Sequence, residues 1–329
     1  MITQINLKAY KSFVDETLAL NKLTILTGLN SSGKSSVIQA IRMMNRLRKK
    51  TNFLLPGYGD IKEITNDSSA QGTMCIKIKN DEGNEFLLKE GASELGKDSH
   101  FPKLIHIAAG RFGPRVNIMS YDTWHDMEET GENVLTCIDS LGEIHVPKCL
   151  VPDDAQTDLF PHVLKEWMKI ISPSVDFEYY INHKADISYS TFNQHRAKNV
   201  GFGLSYTLPC IVALLQGAVT PNSLVIIENP EAHLHAKAQY DMAELIGKCV
   251  EAGAQVIIET HSDHLFDGLR AYTKQHAGFN EMMNCYWLEL TEGNTKATLI
   301  RLHENGRYKN ADLPENFMDQ FRINMPKQP

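Results

Sequence analysis

Residues 28–35, which read Gly-Leu-Asn-Ser-Ser-Gly-Lys-Ser, constrain this chain more than any other feature. They follow the apolar and β-branched stretch 23–27 and precede apolar residues at helical spacing, namely Val37, Ile38, Ile41, Met44 and Leu47. A strand, a glycine loop and a helix in this order predict a P-loop, which binds the phosphates of a nucleoside triphosphate at the helix N-terminus. A chance glycine turn does not explain why the motif is complete and correctly placed.

The P-loop assigns a role to each of its polar residues. Lys34 adds a point charge at the β- and γ-phosphates, and the hydroxyl of Ser35 is a ligand for Mg²⁺. The other predicted phosphate-binding residues are Gly28, Asn30, Ser31, Ser32, Gly33 and Ser36. The expected cofactors are therefore ATP and Mg²⁺.

Composition and charge narrow the class of protein. The chain has 329 residues, of which 42% are hydrophobic, and a net charge of −7 at pH 7, which is typical of a globular protein of one to three domains. We find no signal peptide and no apolar run that approaches the roughly 18 residues of a membrane span, so we expect a cytoplasmic protein that does not bind a membrane. The net charge excludes a wholly basic nucleic-acid coat but leaves a local basic groove for DNA open.

The cysteines give no sign of a metal site or a disulfide framework. They are scattered without a C-x-x-C pair, at Cys75, Cys137, Cys149, Cys210, Cys249 and Cys285. We expect them to be reduced packing residues.

The first third of the chain reads as an antiparallel β-lobe. Alternating patterns predict two strands within residues 2–20. Residues 74–78 and 85–88 flank the turn-rich segment 80–83, which predicts a hairpin. Farther along, residues 160–171 predict an amphipathic helix, and we expect strands at 177–181 and 187–192.

The second half resumes a βαβ rhythm, with strands predicted at 224–227 and 255–259 and a helix at 238–250. The first of these strands is fully apolar and ends in Glu228, the pattern of a Walker B strand that delivers a carboxylate to Mg²⁺. The alternative is a core strand followed by a solvated acid. The P-loop in the same chain favours the Walker B interpretation.

Two segments together resemble a known family. Residues 228–235 read Glu-Asn-Pro-Glu-Ala-His-Leu-His, and residues 259–264 read Glu-Thr-His-Ser-Asp-His. They are similar to ABC-type ATPases of the RecF, SMC and OLD (overcoming lysogenisation defect) group, and in particular to stand-alone AAA/ABC ATPases of phage-defence gene clusters. Residues 111–115, 199–205 and 313–319 add to this resemblance.

The resemblance implies that His261 is the switch histidine that senses the γ-phosphate, and that residues 232–235 form the dimer-facing D-loop. A neutral imidazole at a strand end beside the Mg²⁺ edge can donate a hydrogen bond to a phosphate oxygen. The alternative is that a histidine after a strand is just a polar cap.

Residues 201–205 stand where the family has its signature motif, which contacts the γ-phosphate bound to the opposite subunit. The sequence departs from the common Leu-Ser-Gly-Gly-Gln, so either Gly203 or Ser205 makes that contact. The alternative is a glycine turn before a buried helix at 208–215.

Asn229 is a further departure from the family pattern, because the residue after the Walker B acid is normally a glutamate. An amide can position water but cannot accept its proton at neutral pH. Glu231 is the nearest replacement, although Pro230 fixes the backbone between them. The predicted catalytic residues are thus Glu228, Asn229, Glu231 and His261, with Mg²⁺ held by Ser35 and Glu228, and we expect slow turnover.

The predicted fold is α/β, with an ABC-type P-loop core around a mixed sheet, an antiparallel β-lobe and a helical and strand insert before the signature segment. We predict a single ABC-ATPase unit over residues 1–329. Within it, residues 1–50 and 199–329 form the nucleotide-binding core, and residues 51–198 form the β-lobe and insert.

These features predict an ATP-dependent switch that dimerises, or forms a higher homo-oligomer, around two sandwiched nucleotides. The resemblance implies antiviral defence through a separate effector, a nuclease or a toxin, because the stretch after His261 is short for a fused Toprim nuclease domain. Two alternatives stay open: a RecF-like DNA-repair ATPase, and a non-hydrolysing scaffold that ATP holds together. The sequence of residues 228–235 resembles the soluble branch of the family, which argues against a transporter ATPase.

Overall fold

The computed structural model of the chain describes residues 1–66, 73–89, 92–95, 100–120 and 126–318. The chain divides into two compact units. Unit 1 contains Met1–Pro102, Asn280–His303 and Arg307–Pro329, and unit 2 contains Lys103–Phe279 and Glu304–Gly306. The predicted division into a core and a lobe at residues 50 and 199 stays a prediction.

Within the described residues, the strands in chain order are β1 (Ile2–Tyr10), β2 (Phe13–Ala19), β3 (Leu23–Gly28), β4 (Cys75–Asn80), β5 (Glu85–Lys89), β6 (Ala92–Leu95), β7 (Lys103–Ile107), β8 (Ile118–Met119), β9 (Phe177–Asn182), β10 (Ile187–Phe192), β11 (His195–Arg196), β12 (Ser223–Glu228), β13 (Gln255–Glu259), β14 (Met283–Thr291) and β15 (Asn294–Ile300). The helices are α1 (Lys34–Arg48), α2 (Val134–Ser140), α3 (Phe160–Ile171), α4 (Phe202–Val219), α5 (Ala236–Glu251) and α6 (Asp263–Gln275).

Unit 1 contains an antiparallel sheet in the order β2-β1-β4-β5-β6. Its register sets Ile5 opposite Leu18 on one side and Ile78 on the other, and all three are fully buried. Polar residues alternate with them, as expected of strands with one face on the core. The predicted β-lobe and its hairpin are confirmed.

A second set of strands in unit 1 carries the P-loop. β3 pairs with β14 in parallel, and β14 pairs with β15 in antiparallel, so the sheet is mixed as predicted. Every residue of β3 is buried. Helix α1 begins at Lys34, directly after the loop, and the apolar residues predicted at helical spacing face the core, with Val37, Ile38, Ile41 and Met44 fully buried.

Unit 2 contains the parallel strands β7, β12 and β13, with β12 in the middle. Residues Leu224 to Ile227 are fully buried, because both faces of a parallel sheet are covered. Helix α5 connects β12 to β13, which confirms the predicted βαβ rhythm.

The remaining part of unit 2 is the predicted insert. Strand β10 pairs in antiparallel with β9, β8 and β11, and helices α2 and α3 precede α4 in the chain. Trp167 of α3 donates a hydrogen bond from Nε1 to the carbonyl of Leu150 at 2.8 Å, which satisfies its buried polar group. The predicted helix and both strands of this insert are confirmed.

Helix α4 bears on one alternative and one expectation from the sequence. The alternative of a glycine turn before a helix at 208–215 is wrong, because the helix already begins at Phe202 and continues through Pro209. Proline is typical of the first helical turn, which explains the misplaced start. Furthermore, α4 is long and apolar enough by length and composition to cross a membrane, against the prediction, although 67% of it is buried as in a core helix.

The cysteine prediction is only partly right. All six cysteines are free thiols, and Cys137, Cys210, Cys249 and Cys285 are buried, so burial raises their pKa values. However, Cys149 is exposed and Cys75 is half-buried. Exposed Cys149 is therefore not a packing residue.

Candidate functional site

The segment from the last residue of β3 to the start of α1 has three positive φ angles, 143° at Gly28, 62° at Ser31 and 98° at Gly33. Residues that carry a side chain rarely adopt such backbone conformations, whereas glycine adopts them without a steric clash. The backbone therefore reverses its direction repeatedly before the helix begins at Lys34.

Close packing adds to the preference for glycine at Gly28 and Gly33. A Cβ atom on Gly28 would lie 2.1 Å from the carbonyl oxygen of Leu288, which is backbone and cannot move aside cheaply. A Cβ atom on Gly33 would lie 3.0 Å from the ring of Phe13 and from Thr295 Oγ1. Packing within unit 1 thus excludes a Cβ atom at Gly28, whereas at Gly33 the neighbouring side chains would have to shift by a few tenths of an ångström.

Lys34 is only 4% exposed although it is charged. Its Nζ donates hydrogen bonds to the carbonyl oxygens of Gly28 at 3.0 Å and Leu29 at 2.8 Å, so the loop surrounds the ammonium group. An ammonium held in a loop at a helix N-terminus is positioned to attract anionic oxygens. This cradle fits the triphosphate of ATP.

The other P-loop residues differ in accessibility. Ser32 is buried, and its carbonyl accepts a hydrogen bond from Thr295 Oγ1 at 3.1 Å. The N–H of Ser36 donates to the Gly33 carbonyl at 3.0 Å and closes the first turn of α1. The exposed residues, which a ligand can reach directly, are Leu29, Asn30, Ser31 and Ser35.

In unit 2, Glu228 ends β12 with its carboxylate held on both oxygens. His106 Nε2 lies 2.8 Å from Oε1, and the N–H of Ala109 donates to Oε2 at 3.4 Å. His106 on β7 is paired with Ile226 on β12. Glu228 lies two residues after Ile226 and therefore on the same face of the sheet, within reach of the His106 side chain. Its Nδ1 lies 3.4 Å from a carboxylate oxygen of Glu129. The predicted Walker B acid is therefore oriented by a buried histidine.

Arg111 holds the backbone at the same strand end. Its Nη1 donates to the carbonyl of Glu228 at 2.7 Å, and its Nη2 donates to the carbonyl of Asn229 at 2.8 Å. Arg111 is 4% exposed. The turn after the Walker B strand is thus fixed by a planar side chain that bridges two consecutive carbonyls.

Asn229 has a left-handed backbone, with φ of 48°. Its N–H donates to the carbonyl of Glu259, at the end of β13, at 2.8 Å. Its side-chain oxygen is buried and has no hydrogen-bond partner among the described residues. Asparagine tolerates this conformation better than most residues do, and its buried acceptor is available to a donor such as water.

Glu231 lies two residues farther on and bonds the strand end that carries His261. Its Oε1 accepts a hydrogen bond from the N–H of His261 at 3.0 Å, while Oε2 is buried without a partner in the described part of the chain. Burial raises the pKa of this carboxyl above its ordinary value near 4.5, and backbone hydrogen bonds and the charge of Arg111 oppose that rise. A carboxylate with a raised pKa is a stronger base.

His261 and His235 have different local roles. His261 is exposed and precedes Ser262, whose Oγ accepts the N–H of Leu265 at 3.1 Å and caps α6. His261 is therefore not the helix cap. His235 does cap a helix, since its Nδ1 accepts the N–H of Lys237 at the start of α5.

The signature segment lies at the start of α4. A Cβ atom on Gly203 would lie 2.8 Å from the carbonyl of His233, so glycine is needed here for packing within unit 2. Ser205 is buried, with 5% of its surface exposed. The contact of either residue with a nucleotide on another subunit stays a prediction.

Unit 1 therefore contains the P-loop, and unit 2 brings Glu228, Asn229, Glu231 and His261 together at the carboxyl ends of β12 and β13. Among the residues that the structure describes, no group of three or more His, Cys, Asp or Glu could hold a metal ion by itself. The hydroxyl of Ser35 in unit 1 and the carboxylate of Glu228 in unit 2 are each an oxygen donor of the kind that Mg²⁺ takes, alongside phosphates and water. That the two residues hold one ion stays a prediction. The donor chemistry fits a Mg²⁺–ATP complex.

Sequence reasoning missed His106 and gave no role to Arg111. A histidine inside the apolar strand Lys103–Ile107 is a polar residue at a buried position, and this was the available signal. Its partner Glu228 is distant in sequence, so no spacing pattern links them. The predicted segment 313–319 extends to Asp319, which lies outside the described residues.

The sequence matches the family of AAA ATPase domains over residues 1–107 and 144–266, more than half of the chain. The matched ranges include the P-loop, the Walker B strand and His261, and they leave out Arg111 and the segment 313–319. No curated protein matches the sequence.

Solved structures with a similar fold include SMC head domains. An SMC head bound to the C-terminal winged-helix domain of ScpA has a TM-score of 0.51 and 12% identity, over 92% of this chain and 98% of that chain. A Pyrococcus furiosus SMC head with an extended coiled coil, bound to the C-terminal domain of ScpA, has a TM-score of 0.53 and 12% identity, over 91% and 96%. The recombination mediator RecF has a TM-score of 0.44 and 10% identity, over 90% and 98%. The SMC matches show that the fold is that of an ABC-type ATPase head.

Proposed function

This chain belongs to the AAA ATPase domain family, and on that premise we propose that it is a Mg²⁺–ATP-dependent switch that dimerises around two nucleotides. The observation that carries the proposal is the P-loop cradle. Its left-handed residues and the buried Lys34 ammonium form a site for a chain of phosphates.

The residues of unit 2 supply the hydrolytic side of the proposed reaction. Glu228 would ligate Mg²⁺, which when bound neutralises developing charge on the phosphates. Asn229 would orient the attacking water through its buried amide oxygen, and Glu231 would accept the proton, as its raised pKa permits. His261 would sense the γ-phosphate.

Slow turnover is part of the proposal. The position that usually provides a glutamate base holds an amide, and the candidate replacement Glu231 already accepts a hydrogen bond from His261 N–H. A base with one oxygen committed to the backbone must take the proton on the other oxygen. The long-lived ATP-bound form would then be the active form of the switch.

The proposed dimer uses the start of α4 and the loop that contains residues 232–235. Phe202 is 51% exposed at the first position of α4, and His233 and His235 are exposed on the adjacent loop. Exposed aromatic side chains beside a predicted nucleotide contact are typical of interface residues. We propose a second copy of this chain as the partner, and a higher homo-oligomer remains consistent with the same contact.

The output of the switch would be a separate effector, a nuclease or a toxin, in antiviral defence. The sequence resemblance to stand-alone phage-defence ATPases supports this role and a cytoplasmic location. A RecF-like role in DNA repair is the alternative, and ATP hydrolysis that DNA stimulates would favour it.

Sedimentation tests the switch. We expect wild-type protein to be monomeric without nucleotide and dimeric with Mg²⁺ and a non-hydrolysable ATP analogue. Phe202→Asp places a carboxylate beside the predicted phosphate contact and should prevent the dimer while ATP still binds. Ile144→Asp, at an exposed apolar residue of similar accessibility, is the matched control. Gly203 and Ser205 are poor probes, because substitutions there disturb the packing within unit 2.

A nucleotide-independent dimer, or no dimer at any nucleotide concentration, would contradict the switch. If wild-type protein binds the analogue but stays monomeric, the chain is an ATPase without the proposed sandwich. If it does not bind the analogue, the P-loop assignment itself is wrong.

A further inference from the structure

Three segments of unit 2 meet beside the Walker B turn. The Tyr206 ring lies 4.7 Å from the imidazole of His233, in an edge-to-face arrangement, and the Phe202 ring lies 5.6 Å from the same imidazole. Gly203 approaches the His233 carbonyl so closely that a methyl group would not fit. The start of α4 is therefore packed tightly against the loop that follows Glu228.

Arg111 joins this contact to the strand end. Its guanidinium group lies 5.2 Å from the centre of the Tyr206 ring, within cation–π distance, while its two terminal nitrogens bond the carbonyls of Glu228 and Asn229. One side chain thus contacts both α4 and the predicted catalytic turn.

The chemistry of Arg111 is unusual for a purely structural residue. Among the described residues, its hydrogen-bond acceptors are backbone carbonyls, including that of Ala108 at 3.2 Å, and its Nε is buried without a partner. A buried charge is costly unless it is paired. The charge of Arg111 is compensated by backbone carbonyls and by the Glu231 carboxyl, whose pKa it lowers. Such a residue is expected where its charge or its geometry serves function.

The bonds of Arg111 control the residue that is expected to orient water. The Asn229 carbonyl accepts Arg111 Nη2 at 2.8 Å and the N–H of Ala232 at 3.1 Å, which together hold the turn and its left-handed first residue. A shift of the guanidinium group would move both carbonyls, and with them the side chains of Glu228 and Asn229.

We propose that Arg111 is a positioning residue that couples the start of α4 to the catalytic turn, through Tyr206 on one side and the Glu228 and Asn229 carbonyls on the other. The coupling rests on the proposed function, in which the start of α4 receives the nucleotide of a second copy. Formation of the dimer then adjusts Tyr206, the guanidinium group and the turn together, so that hydrolysis depends on the partner.

The test compares variants on both sides of the guanidinium group. Arg111→Gln removes the charge and the bridge, Arg111→Lys keeps the charge, and Tyr206→Leu removes the ring that faces it. We expect Arg111→Gln and Tyr206→Leu each to lower turnover by about 10-fold while the Kd for ATP changes by no more than about twofold. The double variant should be no slower than Arg111→Gln alone, because both changes break one connection.

Conservative variants and a control separate coupling from damage to the fold. Arg111→Lys and Tyr206→Phe should lose less than Arg111→Gln and Tyr206→Leu. Arg115→Gln, in the same segment but exposed and bonded to Glu132, should leave turnover unchanged. Amide hydrogen exchange of residues 229–232 gives a readout without turnover, and both Arg111→Gln and Tyr206→Leu should accelerate it.

Each outcome decides the proposal. Full turnover in Tyr206→Leu, or additive losses in the double variant, would show that Arg111 is a static brace and overturn the coupling. If wild-type protein binds no ATP, the proposed function fails, and unchanged amide exchange in Tyr206→Leu would overturn the positioning role separately.

Discussion

His106 Nε2 lies 2.8 Å from Glu228 Oε1, and the two residues sit on neighbouring parallel strands, in unit 2. A donor on one carboxylate oxygen fixes the plane of the carboxylate and leaves a defined direction for a metal ion. Partners of this kind tune the metal affinity of the ligand that they orient.

Replacement of His106 should therefore weaken metal binding. We expect His106→Gln to lower the affinity for Mn²⁺ in the presence of an ATP analogue by about 10- to 100-fold, measured by electron paramagnetic resonance. His145→Gln is the control, because that histidine also contacts a carboxylate but is 70% exposed and lies far from β12 in the sequence. Equal Mn²⁺ affinity in wild-type and His106→Gln protein would contradict a role of His106 in metal binding.

Lys34 should control nucleotide binding. A ligand present at about 100 times its Kd stabilises the native state by about 2.7 kcal/mol, so ATP should raise the Tm of the wild-type protein. Lys34→Ala removes the charge inside the loop and should abolish that rise, while exposed Lys8→Ala should keep it. Differential scanning calorimetry with and without Mg²⁺–ATP makes the comparison, and an undiminished rise in Lys34→Ala would contradict the assignment.

Asn229 should respond differently to aspartate and to glutamate. Aspartate has the same length and tolerates the left-handed backbone, so Asn229→Asp should raise turnover by roughly 10-fold if the missing base limits it. Glutamate at φ of 48° adds strain of about 1–2 kcal/mol and should lower the free energy of unfolding. Phosphate release and urea unfolding of both variants test this. Faster turnover in Asn229→Glu alone would mean that the backbone at this turn relaxes.

Glu231 should be essential for turnover. Glu231→Gln keeps an oxygen for the His261 N–H but cannot accept a proton, so we expect turnover to fall by about 10²- to 10⁴-fold with little change in the Kd for ATP. Glu289→Gln, at an exposed glutamate in β14, is the control. A brisk rate in Glu231→Gln would require another base.

The raised pKa of Glu231 also predicts a pH dependence of stability. A carboxyl whose pKa is higher in the folded state binds its proton more tightly when folded, so wild-type stability falls as the pH rises from about 4.5 to the raised pKa. Glu231→Gln lacks this loss. The stability of the variant relative to wild type should therefore increase over that window and then level off, as measured by urea unfolding at a series of pH values. If the stability of Glu231→Gln relative to wild type decreases with rising pH, the pKa of Glu231 is not raised in the folded state.

The sequence predicted the elements of the site better than their contacts. Residues 224–227 form a buried strand because a fully apolar run bounded by turn residues suits a parallel sheet, and the P-loop pattern is local to a few residues. The bond between His106 and Glu228, by contrast, joins residues from separate strands, and its existence depends on strand order and register. Local sequence patterns specify neither the strand order nor the register.

The conformation and packing of single residues could not be predicted from the sequence either. Asn229 was predicted from its chemistry as a water-positioning amide, but its left-handed backbone follows from hydrogen bonds with Glu259 and Arg111. Gly203 was predicted as a contact for another subunit, and the structure adds a packing requirement against His233. In both cases the reason for the residue type lies in neighbours that are remote in the chain.

The left-handed backbone at residue 229 has a consequence for how this protein can change over generations. Asparagine and aspartate codons differ at one base, whereas asparagine and glutamate codons differ at two. Selection for faster turnover would thus reach aspartate in a single step and meet a conformational penalty at glutamate. Relatives that share this turn should divide between asparagine and aspartate at the corresponding position, and those with glutamate there should have a differently shaped turn.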